Sequence, residues 1–163
     1  VRLALEHECD RVARCLLFRE RQFPGSPHID QGHGLDLEAA AIKTVAAFMN
    51  SHGGVLVLGV EDSGKLIGLE ADYKSLNHRP NRDGFEQHLI NLISEQIGKP
   101  SCAYTQISFQ SIDGRDACAV RVRPAAEPAY VGKDHKFFVR AGNTTQSLST
   151  KDAHAHMKQR WPS

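Results

Sequence analysis

The sequence predicts a mixed α+β domain in which a sheet of about six strands packs against about three helices. Three observations support this prediction: an amphipathic helix that leads through two glycines into an apolar strand, a second amphipathic helix later in the chain, and pairs of strands joined by short turns. A length of 163 residues, with 40% hydrophobic and 24% charged residues, is typical of a soluble globular domain. We therefore expect a single domain over residues 1–163, with its core in residues 35–163.

The N-terminal segment, residues 1–34, has a less regular pattern. Apolar residues recur at helical spacing over residues 3–17, whereas residues 15–18 also suit a short strand, so that both alternatives stay open. Residues 23–34 are rich in proline and glycine and are expected to form a loop. Asp36 follows as the candidate N-cap of the first regular helix.

Residues 37–69 form the most informative stretch. Apolar side chains at three- and four-residue steps predict a helix over residues 37–48, and Gly53 and Gly54 suit the turn that ends it. The apolar, β-branched residues 55–60 predict a strand covered on both faces, and a second strand is expected over residues 65–69 after an Asp-Ser-Gly turn. Asn50 and Ser51, together with the glycine amides, are candidates for a site at the first turn, with a packed helix–hairpin unit as the structural alternative.

The next stretch combines basic residues with a second helix. Residues 71–82 predict a loop, which holds Lys74, His78, Arg79 and Arg82 and which is either a binding surface or simply solvated. Apolar residues at helical spacing predict a helix over residues 84–97, with Asp83 as its N-cap.

The last third of the chain predicts two hairpins and a helix. Strands over residues 104–112 and 115–122 are joined by Asp-Gly, and alternation places Arg121 and Arg123 on one polar face. A smaller hairpin is expected from residues 129–131 and 136–140. Ser149 or Thr150 then caps a helix that ends near Arg160.

Composition excludes several classes of protein. No apolar run approaches the roughly 20 residues of a membrane span, and no signal-peptide pattern is present, so we expect no membrane partner and a cytoplasmic location. The net charge is +1 and the pI about 7.9, which does not single out a nucleic-acid-binding protein. The four cysteines lack zinc-site spacing, so reduced, mostly buried thiols are predicted, with a Cys102–Cys118 disulfide as the alternative.

Two motifs resemble one known family. The stretch FMNSHGGVLVLGVEDSGKLIGLE and the later FFVRAGNTTQSLS, in that order and with a helix between them, are similar to the signatures of the Schlafen-type AlbA domain family. The resemblance covers roughly residue 35 to the C-terminus and implies the same α+β fold. It also implies that residues 1–34 are a divergent version of the family's N-terminal strand, and that the domain pairs either in a homodimer or in an internal pseudo-dimer.

Binding of RNA or DNA through the phosphate backbone is the function that we predict. Arg140 ends a predicted strand before a Gly-Asn-Thr-Thr turn, so that a guanidinium, backbone amides and hydroxyls can meet a phosphate. The structural alternative is a salt-bridged arginine beside a turn that enters the last helix. The complete set of predicted nucleic-acid contacts is Arg19, Arg79, Arg82, Arg121, Arg140, Asn143, Thr144 and Thr145. No cofactor is required for this function.

A divalent-metal-dependent nuclease is the first alternative. The resemblance implies a catalytic site with two glutamates from the N-terminal strand and a third acid, and Asp62 matches the third position. Leu17 and Val12 fall where the two glutamates are expected, so we expect no efficient cleavage. Asp62 would hold Mg²⁺ or Mn²⁺ only under this alternative, with Glu8 or Glu20 as an unexpected second ligand, and otherwise caps its own turn.

A protein-interaction or dimerisation module of a larger regulatory or defence protein is the second alternative. It would fit the near-neutral charge and the absence of the two catalytic glutamates. Salt-sensitive binding to nucleic acid would separate this role from the predicted one.

Overall fold

A computed structural model of the protein describes residues 13–16, 32–61, 63–76 and 78–162, with the backbone only at residues 13–16 and 32–37. These residues form an α+β architecture, as predicted, with seven strands in two sheets and four α-helices. None of the described helices is long and apolar enough to cross a membrane.

The larger sheet holds four strands, β1 (Ala13–Leu16), β2 (Gly54–Leu58), β3 (Thr105–Ile112) and β4 (Arg115–Val122). Their order is β1-β2-β4-β3, with β1 parallel to β2 and the other pairs antiparallel. β2 is buried on both faces, which confirms the prediction from its apolar sequence. The β3–β4 hairpin is also confirmed, because Asp113 and Gly114 both adopt the positive φ that a two-residue turn requires.

The predicted second strand over residues 65–69 is wrong. The chain returns beside β2 for one isolated bridge, between Val60 and Leu66. The amides of Ile67 and Gly68 then both donate to the Gly59 carbonyl, which curls the chain out of the sheet. Gly59 and Gly68 have φ values of 85° and 89°, which an extended strand cannot accommodate. A short helix, α2 (Glu70–Ser75), follows where a loop was predicted.

Two longer helices, α1 (Gly32–Met49) and α3 (Arg82–Gln96), supply most of the core on one face of the larger sheet. α1 begins earlier than predicted, so Asp36 lies within the helix rather than at its N-cap. The N-cap of α3 is Asn81 and not Asp83, because the Asn81 Oδ1 accepts a hydrogen bond of 2.9 Å from the Gly84 amide. The largest fully buried side chains are Phe48, Met49, Leu56, Leu69, Ile93 and Val120.

Cys102 lies in a 3₁₀ helix, Lys99–Tyr104, which precedes β3. Cys102 and Cys118 are both free thiols, so the alternative of a disulfide between them is excluded. Cys118 is fully buried, and burial raises the pKa of its thiol to about 12.

A second, smaller sheet holds β5 (Tyr130–Val131), β6 (Lys136–Ala141) and β7 (Thr144–Ser147), all antiparallel. The strand β7 was not predicted, since its two threonines were assigned to a turn. The last helix, α4 (Thr150–Arg160), covers one face of this sheet, and its N-cap is Ser149, as predicted. Phe137 and Val139 meet Ala153 on that face, while the opposite face of β6 lies against α1.

Candidate nucleic-acid interface

Arg140 occupies the face of β6 that packs on α1. Its guanidinium lies over the Phe48 ring, with Cζ 5.2 Å from the ring centroid, and Nη1 donates a 2.9 Å hydrogen bond to Thr145 Oγ1. The other two nitrogens, Nε and Nη2, are shielded from solvent and have no hydrogen-bond partner. No carboxylate of the described residues forms an ion pair with Arg140. The salt-bridged arginine that was the structural alternative is therefore not found in this part of the chain.

The C-terminal end of α1 fixes the position of β6. The fully buried Asn50 donates from Nδ2 to the carbonyls of Ala129 (2.8 Å) and Phe138 (2.9 Å), and its Oδ1 accepts from the Ala129 amide (2.8 Å). Ser51 Oγ accepts from the Arg140 amide at 3.0 Å. These two side chains, which the sequence suggested as functional, therefore position the strand that carries the arginine.

The tip of the β6–β7 hairpin brings three further predicted residues to the same place. Gly142 turns the chain with a φ of 61°, and Asn143 and Thr144 are exposed beside it. Thr145 stands next to Arg140 and also contacts the buried Thr44 of α1, with 3.3 Å between the two hydroxyl oxygens. The Thr144 hydroxyl donates to the Ala141 carbonyl at 3.0 Å, so the hairpin combines a fixed guanidinium with the exposed amide of Asn143.

The remaining predicted arginines lie elsewhere. Arg121 is exposed on β4 and pairs with Val55, near the α1–β2 turn that holds β6. Arg82 is bound to Asp116, which lies five residues earlier on the same strand, or about 17 Å along it. Arg79 is exposed in the loop before α3, on the side of Arg82. The predicted set is therefore divided into two groups, and Arg19 lies outside the described residues.

The guanidinium of Arg82 is already occupied. Its Nε donates to Asp116 Oδ2 at 2.7 Å and its Nη2 to Oδ1, while the Tyr73 hydroxyl donates to Oδ2 at 2.8 Å. The hydrogen bonds from Arg82 lower the pKa of the Asp116 carboxyl to about 2. Burial, and then the bond to Asp116, raise the pKa of Tyr73 above its usual range. This cluster fastens α2 and the start of α3 to β4, so Arg82 serves packing in this conformation.

Metal-ligating side chains do not cluster in the part of the chain that the structure describes, where no three His, Cys, Asp or Glu residues could hold an ion together. Asp62, the predicted metal ligand of the nuclease alternative, lies outside the described residues, as do Leu17, Glu8 and Glu20.

Two contacts of the site were missed from the sequence, the ring beneath Arg140 and the helix partner of Thr145. Phe48 was assigned only to the apolar stripe of α1, and Thr44 was not considered. A signal for Thr44 existed, since a hydroxyl at a buried position of an apolar helix needs a partner. That partner, Thr145, is 101 residues away in the chain, so its identity could not be predicted.

Comparison with known proteins gives a family and a fold. The family model described as Schlafen, AlbA_2 matches residues 23–149. The crystal structure of the DIP2311 protein from Corynebacterium diphtheriae is 19% identical, with a TM-score of 0.56 over 93% of this chain and 27% of that chain. The chain therefore spans about a quarter of that protein, and the likeness concerns the fold.

A second similar structure is the N-terminal domain of a putative ATP-dependent DNA helicase RecG-related protein from Nitrosomonas europaea, solved by NMR. It is 20% identical, with a TM-score of 0.45 over 69% of this chain and 74% of that chain. No curated protein matches the chain.

Proposed function

Because the chain belongs to the Schlafen AlbA_2 family, we propose that it is a nucleic-acid-binding domain that contacts mainly the phosphate backbone of RNA or DNA. A family fold does not fix an activity, so the proposal depends on the chemistry of Arg140. We also propose that the domain cleaves poorly or not at all, since Leu17 falls where the family resemblance expects a glutamate. The cytoplasmic location and the lack of a required cofactor stay predictions.

The unpaired edge of the Arg140 guanidinium carries this proposal. In Arg140, Nε and Nη2 are the two nitrogens without a hydrogen-bond partner. The same two nitrogens of Arg82 donate two parallel hydrogen bonds to the Asp116 carboxylate. The same geometry suits two oxygens of a phosphate. A shielded cation without an anion is costly, and Arg140 has none among the described residues, so an arriving phosphate would gain hydrogen bonds from both nitrogens. Because both nitrogens are shielded, a neighbouring side chain must move aside to admit it.

The surroundings of Arg140 favour a phosphate over a base. The exposed Asn143 at the tip of the same hairpin offers an amide group, whereas the Thr144 hydroxyl already donates to the Ala141 carbonyl at 3.0 Å. A guanidinium and an amide position a nucleic-acid backbone without reading its sequence. The aromatic ring at the site, Phe48, is fully buried beneath the guanidinium and is not available to stack on a base. We therefore expect little sequence preference.

Fluorescence anisotropy with a labelled single-stranded RNA and a labelled DNA duplex tests the proposal. We expect Arg140→Ala to weaken binding about tenfold and to reduce the slope of log K against log salt by about one, as loss of one phosphate contact predicts. Arg140→Lys keeps the charge but lacks the two-nitrogen edge, so it should restore only part of the affinity. Lys133→Ala, at an exposed turn between β5 and β6, is the matched control.

Two results would contradict the proposal. If the Arg140→Ala variant is folded by circular dichroism and binds as tightly as the wild type, Arg140 is not part of a binding site. A chain that binds neither probe at about 50 mM salt would favour the interaction-module alternative. Incubation of the same probes with Mn²⁺ addresses cleavage, because fragments that appear with the wild type and vanish with Asp62→Ala would establish the nuclease alternative instead.

A further inference from the structure

β3 is an edge strand without the usual protection. It lies last in the sheet order, and no described strand pairs with its outer edge. Its eight residues, TQISFQSI, include no charge, proline or glycine, and its register with β4 runs unbroken from Thr105 to Ile112 without a bulge. Natural edge strands are normally blunted by one of these devices, because a long regular edge is a template for pairing with another strand.

The backbone groups on this edge can be identified. The Arg123 amide donates to the Tyr104 carbonyl at 2.8 Å, which shows that the even-numbered residues direct their N–H and C=O groups toward β4. The pair that flanks the two-residue turn, Ile112 and Arg115, is a hydrogen-bonded pair in such hairpins, which gives the same assignment for the even-numbered residues. The odd-numbered residues therefore direct their N–H and C=O groups outward. They are Thr105, Ile107, Phe109 and Ser111.

We propose that this edge is a homodimer interface, in which β3 pairs antiparallel with β3 of a second copy of the chain. A two-fold axis perpendicular to the sheet relates the copies, with Ser108 facing its own equivalent. In this register all four outward residues of each copy are used, since Thr105 meets Ser111 and Ile107 meets Phe109 of the second copy. About eight hydrogen bonds form, and the two four-stranded sheets become one.

The side chains of β3 are self-complementary in this register. On the helix-covered face Ile107 lies opposite Phe109 of the second copy, a β-branched residue against an aromatic one. Both are only partly buried in the single chain and gain contact across the axis. On the other face Gln106, Ser108 and Gln110 are exposed and uncharged, so that no like charges meet.

Charge at the ends of the strand favours the same register. The Arg123 guanidinium lies at the start of β3, where its Nη2 donates to the Ala103 carbonyl at 2.7 Å. Asp113 follows the end of β3 and is exposed. With Ser108 on the axis, the end of β3 in the second copy lies beside the start of β3 in the first, which brings Asp113 of the second copy to the same end of the interface as Arg123, once at each end. This pairing of opposite charges, together with the uncharged strand, favours a second copy over an unrelated extended peptide.

Light scattering during size-exclusion chromatography tests the interface. We expect the wild type to approach twice its monomer mass of 18.0 kDa as the concentration rises. Ser108→Lys sets two ammonium groups face to face on the axis and should give monomers. Ser147→Lys, at an exposed serine on the edge strand of the smaller sheet, is the matched control and should leave the dimer intact.

A charge exchange tests the register itself. Gln106 lies opposite Gln110 of the second copy, so Gln106→Lys with Gln110→Lys should give monomers, whereas Gln106→Lys with Gln110→Glu should restore the dimer. Thermal melting followed by circular dichroism verifies that each variant folds. A wild type that stays at 18.0 kDa at every concentration, or a dimer that both lysine variants leave intact, overturns the proposal.

Discussion

Replacement of Asn50 by alanine should be among the most damaging single changes in this chain. Its side chain is fully buried and joins the end of α1 to both Ala129 and Phe138. Alanine keeps the helical backbone but leaves a buried N–H and two carbonyls without the partners they now have. The small sheet would then be attached to α1 through Ser51, the Thr44–Thr145 contact and apolar contacts.

The magnitude follows from the three hydrogen bonds of Asn50. Each of them lies between 2.8 and 2.9 Å, and the loss of a buried bond that leaves its partner unpaired costs about 1 to 2 kcal/mol. The free energy of unfolding should therefore fall by about 3 to 6 kcal/mol, out of a total that is typically about 5 to 15 kcal/mol. For a chain of this length the melting temperature should drop by about 10 °C or more.

Urea denaturation followed by circular dichroism measures this loss. Asn143→Ala, at an exposed residue of the hairpin tip, is the matched control and should change the unfolding free energy by less than about 0.5 kcal/mol. Asn50→Asp retains the acceptor for the Ala129 amide but sets a carboxylate against two carbonyls, so it should rescue nothing. A loss below about 1 kcal/mol for Asn50→Ala would show that these bonds do not connect the two sheets as argued.

Two further predictions concern the larger sheet. The pKa of Asp116 is about 2 in the folded chain, below the roughly 3.9 of an unfolded aspartate, so its ion pair with Arg82 stabilises fully above about pH 4. That contribution is lost as the pH falls from about 4 toward 2. In Asp116→Asn the melting temperature should therefore depend less steeply on pH over this interval than in the wild type. In a second test, Gly54→Ala should cost about 1 to 3 kcal/mol, because an added Cβ would meet the Phe48 ring. In Gly114→Ala the added Cβ has no neighbour within 4 Å, so the only cost is that of the positive φ. Equal melting temperatures for the two variants would contradict the close packing of Gly54 on Phe48.

Local chemistry made much of the fold predictable. The Asp-Gly turn of the β3–β4 hairpin, the apolar stripe of α1 and the Ser149 cap of α4 depend on residues within a few positions of one another, and all three are confirmed. The strand predicted over residues 65–69 failed because the Gly59 carbonyl accepts hydrogen bonds from two successive amides, which turns the chain away from β2. Helix α2 then forms where only a polar loop was expected.

The candidate site was predictable only in part. Arg140 and Thr145 are neighbours across a hairpin, so their proximity follows from the sequence. Phe48 lies far away in the chain, and its place beneath the guanidinium depends on how α1 packs against β6. Arg82 was predicted as a nucleic-acid contact, yet its guanidinium is bound to Asp116, which is 34 residues away in the chain. A count of basic residues cannot distinguish an arginine with a carboxylate partner from one without.

The two proposed surfaces lie on different parts of the fold, and this separation has a physical consequence. The outer edge of β3 is separated from β2 by β4, whereas Arg140 belongs to the smaller sheet and contacts the end of α1. Pairing through β3 therefore leaves the hairpin tip free, and a dimer carries two copies of it related by the two-fold axis. A net charge of +1 means that one copy offers few cations in excess, and each phosphate contact contributes only a modest share of affinity. A nucleic acid long enough to reach both tips would bind more tightly without any new contact, because the second binding step becomes intramolecular. Dimerisation is thus a route by which a nearly neutral domain can hold a polyanion.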